Sequence, residues 1–130
     1  MIKISIKTVK PGTLPWNRVG DWTWKGERLE ISVNDCSDER FEWLLAIHEI
    51  TEAFLCKVRG ISEASIDQFD IEHEGKWVPS GPGYPEHLIA TGIEQILAGS
   101  SGVIWDKYEN ELAEEGFKEV VHRENEKTIV

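Results

Sequence analysis

The feature that most constrains this chain is the stretch Phe41 to Gly60, FEWLLAIHEITEAFLCKVRG, where ionisable residues are set into an apolar helix. Ser37 or Asp35 stands before it as N-cap, acidic residues fill the opening turn, Lys57 and Arg59 the last, and Gly60 is the stop. Phe41, Leu44, Leu45, Ile47, Ile50, Phe54, Leu55 and Val58 leave little polar face, so a buried central helix is expected. Residues four apart lie about 40° apart around a helix, which puts His48 and Glu52 on one face. Glu49 sits about 100° further round, above Ala46, Ala53 and Cys56. An unpartnered buried carboxylate costs roughly several kcal/mol, and a divalent metal is one group that offsets this.

The chain has 130 residues, 40% hydrophobic with six Trp, which fits one folded domain over 1–130. Its formal net charge of -10 excludes nucleic acid and anionic membrane as natural partners and suits a basic protein partner or a peptide substrate. Cys36 lies just before the central helix and Cys56 near its end, about 30 Å apart along a straight axis and beyond disulfide reach. Reduced thiols imply the cytoplasm. The N-terminal MIKISIKTVK alternates and runs into Pro-Gly, so it reads as neither a signal peptide nor a membrane span.

Ile2, Ile4, Ile6 and Val9 alternate with polar residues at the period of a half-buried strand. Trp16 to Lys25, WNRVGDWTWK, reads as a turn or hairpin tip whose Trp residues cap the core or form a stacking surface. Arg28 to Val33 alternates again and is expected to pair antiparallel with the first strand. After Gly60, a helical turn is expected around Ser62 to Phe69, then a Gly/Pro loop from Gly75 to Pro85. A second helix opens at Pro85 or Glu86 and stops near Gly99 and Gly102. A third runs from about Val103 to Glu115, with Ile104, Tyr108 and Leu112 inward, before a short strand at Lys118 to His122 and a charged tail. The fold class expected is α+β: a small antiparallel sheet of N-terminal strands packed on about three helices.

His48-Glu49-Ile50-Thr51-Glu52 spells H-E-x-x-E and resembles H-E-x-x-H, the signature helix of zincin metallopeptidases, with Glu52 in place of the second histidine. The resemblance implies that His48 binds a divalent metal, most often zinc. Glu49 would act as general base on the water the metal activates, and a third ligand would follow the helix. Glu52 can ligate through oxygen. His87 suits the later ligand because it opens the second helix directly after the Gly/Pro loop; His73 and Asp70 are alternatives. Glu94 lies on the same helix face as His87, as ligand or as partner to one, and Tyr84 can donate to a developing oxyanion. The bland reading of His48 is a hydrogen-bonded core histidine, that of Asp67, Asp70, Glu72 and Glu74 a solvated acidic turn, and that of His122 a surface residue.

Ala46 to Cys56, Arg59 to Ser62, Asp67 to Asp70 and Pro85 to Glu94 together resemble small uncharacterised bacteriophage and prophage proteins with an HExxE helix. That resemblance implies a phage origin, hence a bacterial host cytoplasm, and carries no established activity. Two functional readings follow. One is a metal-dependent hydrolase with peptide as default substrate; the other is a non-catalytic accessory protein with a structural metal site or buried polar network. A third sets Glu49, Glu52, Glu63 and Asp67 around Mg²⁺ as in nucleotide pyrophosphohydrolase-like bundles; the N-terminal strands and the central histidine count against it.

Overall fold

The computed structural model describes residues 1–113. Strand β1 (Lys3–Val9) is followed by a short 3₁₀ turn (Pro15–Asn17), then by β2 (Gly20–Lys25) and β3 (Arg28–Asn34). The helices are α1 (Glu39–Val58), α2 (Glu63–Glu72), α3 (Tyr84–Ser100) and α4, which covers residues 105–113. The strand expected at Lys118 to His122, the tail and His122 itself lie outside the described residues. The architecture is α+β, with a three-stranded mixed sheet in the order β1-β3-β2.

Two expectations about the sheet are corrected. β1 and β3 pair parallel, not antiparallel, with Ile4 opposite Leu29 and Ile6 opposite Ile31. The stretch read as a turn holds β2, which pairs antiparallel with β3, Trp22 opposite Ile31. One cause explains both. Gly-Asp-Trp-Thr-Trp-Lys is itself a strand, and this extra reversal returns β3 in the direction of β1. Gly26, at a φ of 62°, makes the tight turn between β2 and β3.

Leu29, Ile31 and Val33 point from β3 into one core shared with Trp22, Phe41, Leu44, Leu45 and Tyr108. α1 lies over that face. Its N-cap is Asp38, whose carboxylate accepts from the Arg40 N–H, one residue beyond Ser37. Ser37 instead donates its backbone N–H to Glu111 at 3.0 Å, tying α4 to the start of α1. Gly60, at a φ of 73°, ends α1 in the left-handed conformation. α2 extends past the expected turn, and Glu63 pins it to the sheet by accepting from Thr23 Oγ1 at 2.5 Å and from the Trp24 N–H at 3.0 Å. Ala90, Glu94 and Ala98, four apart, form the buried side of α3. No helix among the described residues is long and apolar enough to cross a membrane.

Candidate metal centre

α1 carries His48, Glu49 and Glu52, and all three are buried. Pro85 in the first turn of α3 starts that helix directly behind the loop, so His87 projects toward α1 from its first turn and Glu94 from two turns further on. His48 Nε2, Glu52 Oε2 and His87 Nδ1 form a triangle whose three edges are each 3.1 Å. Tetrahedral zinc with bonds of about 2.0–2.1 Å holds its donors about 3.3 Å apart, so the triangle is close to one face of such a site. These three residues can hold a metal ion.

The donors are supported from behind. His48 donates from Nδ1 to Glu94 Oε1 at 2.7 Å, which fixes the ring orientation and leaves Nε2 facing the triangle. The Tyr108 hydroxyl donates to the other oxygen of Glu94. The Trp22 indole N–H donates to Glu52 Oε1 at 3.2 Å, leaving Oε2 for the cluster. His87 is half-buried, and its ring stacks on Trp77 with centroids 4.0 Å apart. Arg18 lies over the Trp77 ring at 4.3 Å and is held by Asp70 (3.2 Å) and the Gly75 carbonyl (3.0 Å).

Without metal the cluster is a charged network. Burial works against the imidazolium of His48, but hydrogen bonds to Glu52 and Glu94 and the charge of Glu49 lift its pKa to about 10. Burial likewise opposes ionisation of Glu52, yet His48 and His87 hold it down at about 2. Glu49 differs. Burial first, and then the Glu52 carboxylate beside it, push it well above the usual carboxylate range. It is 8% exposed and has no hydrogen-bond partner among the described residues. Its carboxyl lies over Gly20, where a Cβ would stand 2.7 Å from Glu49 Oε1. Burial raises the Cys56 thiol to about 12, which leaves it unreactive; the two cysteines form no disulfide.

Glu49, the triangle and Glu94 line one cavity of about 800 Å³, together with Trp16, Asn17, Arg18, Asp21, Asp67, Asp70 and Trp77. The structure thus brings together His48, Glu49, Glu52, His87 and Glu94. It does not bring in Tyr84, which is absent from the cavity wall and tilts against Trp77 at 6.4 Å. His73 is also elsewhere, stacked on Phe69 at 3.8 Å with its Nδ1–H donated to the Phe69 carbonyl. Asp70 lines the cavity but is committed to Arg18, and Glu63 to β2. Sequence reasoning did not assign Gly20, Trp22, Trp77 or Tyr108 to the site. Two of them carried a local signal: Trp22 in the alternation Trp22-Thr23-Trp24, and Tyr108 in the helical stripe that placed it inward, where it is fully buried. No protein-family model, curated protein or solved structure matches this chain.

Proposed function

We propose that the protein is a metal-dependent hydrolase of the zincin-like sort, with zinc held by His48, Glu52 and His87. The observation that carries the reading is Glu49, a buried carboxyl without a hydrogen-bond partner among the described residues, lining the cavity that holds the donor triangle. A purely structural site needs its ligands and no spare carboxylate beside them. When bound, zinc supplies Lewis acidity toward a water and toward the substrate carbonyl.

The remaining work belongs to the chain. Glu49 takes the proton from the attacking water and returns it to the leaving group, a role suited to a carboxyl that burial has raised well above the usual carboxylate range. Glu94 and Tyr108 hold His48 in one tautomer. Trp22 keeps Glu52 turned to a single donating oxygen. The carboxyls of Asp21 and Asp67 on the cavity wall and the net charge of -10 favour a basic peptide or protein as substrate.

Glu49→Gln keeps the shape of the side chain and removes the base. With zinc-loaded protein and a mixture of unstructured peptides, cleavage followed by mass spectrometry is expected to disappear in this variant while bound zinc is unchanged. Cleavage by Glu49→Gln at the wild-type rate contradicts the mechanism.

A further inference from the structure

The side of the α1–α3 pair turned away from the cavity is apolar and exposed. Phe54 and Ile96 each follow a cavity-facing carboxylate, Glu52 and Glu94, by two residues, which puts them about 160° away around their helices. Trp43 and Val58 continue the α1 stripe at 59% and 62% exposure, and Ile89 and Ile93 continue that of α3. These six side chains expose on the order of 600 Å². A monomer's largest patch is typically about 300–600 Å², and a standard interface takes about 800 Å² from each partner. The half-buried residues between them narrow the remaining difference.

We infer that this face is a two-fold interface at which a second copy of the chain docks, α1 and α3 against their counterparts. The charge pattern selects that occupant. Between His87 and Ile104 the only Asp, Glu, Lys or Arg is Glu94, and it is buried. The α3 halves of the face can therefore meet without apposing like charges, although each chain carries -10 overall. A basic partner would find no carboxylate on the outer face of α3, and an anionic membrane is repelled by the chain as a whole. Gly92 and Gly99 add a steric fit, since nothing lies within 4 Å of where a Cβ on either would stand, leaving room for a partner helix to approach closely. Ligands and interface then sit on opposite faces of the same two helices.

The inference is independent of the hydrolase reading, and its test needs no activity. The full chain at tens of micromolar is expected to sediment at the mass of two chains, with or without chelator. Phe54→Glu and Ile93→Glu, each setting like charges against each other across the two-fold, are expected to give the mass of one chain, weakening association at least about 100-fold. Their far-ultraviolet circular dichroism should be unchanged. If either variant fails to fold, Ile96→Lys at a 69% exposed position replaces it. Wild-type protein at the mass of one chain throughout overturns the inference, whether another protein or the chain's own remaining residues cover the face. A dimer that persists in Phe54→Glu/Ile93→Glu places the interface elsewhere and overturns it equally.

Discussion

Glu49 and Gly20 are in direct contact, the carboxyl occupying the space that any Cβ at position 20 would take. Gly20→Ala sets a methyl group within 2.7–2.9 Å of Glu49 Oε1 and Cγ. Glu49 must then swing aside, while the donor triangle, held by Glu94, Tyr108 and Trp22, stays in place. The expected result is bound zinc as in wild type and a fall in kcat of about 100-fold, the scale of a misplacement near 1 Å. Steady-state kinetics beside a zinc titration checks it. Full activity in Gly20→Ala would mean that Glu49 is not the base.

The buried charges also set a pH dependence for the metal-free protein. His48 has a folded pKa of about 10 against an ordinary 6.5, so its contribution to stability is complete below pH 6.5 and is lost as pH rises through about 10. Glu49, raised by burial, acts in the same direction. Glu52 is depressed from 4.5 to about 2, so its contribution is present above pH 4.5 and is lost as pH falls through about 2. Urea denaturation in chelator is therefore expected to show greatest stability near pH 4.5, because the Glu49 contribution falls above that pH and the His48 contribution above pH 6.5. Rising stability between pH 7 and 10 would contradict the network. Spacing alone brought His48, Glu49 and Glu52 to notice, because they share one helix whose geometry is fixed. Gly20 and Trp77 stayed hidden, and Tyr108 was placed inward without its partner Glu94, because these contacts join separate elements, which local periodicity does not encode.

At the scale of elements, the site is a junction of α1 and α3 closed by the segment between α2 and α3. That segment is held by stacking: Arg18 on Trp77, Trp77 on His87. Trp77→Ala removes the shared ring and frees the His87 ring, with little else at stake because Trp77 is 42% exposed. An aromatic stack contributes about 0.5–1.5 kcal/mol, so zinc affinity is expected to fall about 2–12-fold with the melting temperature in chelator nearly unchanged. Competition with a chromogenic chelator measures this, and unaltered affinity would remove Trp77 from the support of His87. The helices were legible in the sequence because caps and apolar stripes are local. α1 began two residues before Phe41 because Asp38, not Ser37, reaches the first free N–H groups. Strand direction was not legible, since β2 was concealed in a Trp-rich stretch whose Gly and Asp suggested a turn, and one unseen strand inverts the partner of the next.

For the whole molecule, sheet and helices share one core, and the cavity opens where β2, α1 and α3 meet. Metal at this junction would join α1 to α3 as the hydrophobic core does, so binding and folding are linked. Elemental analysis of the full chain, purified without added metal or a metal-binding tag, beside His48→Ala, tests the central claim most directly. A zinc centre at this junction predicts close to one zinc per wild-type chain, none in His48→Ala, and a lower melting temperature when chelator strips the wild type. A wild-type chain that carries no metal, takes up none when zinc is supplied, and melts identically in chelator would show that His48, Glu52 and His87 are a hydrogen-bonded core and no metal centre.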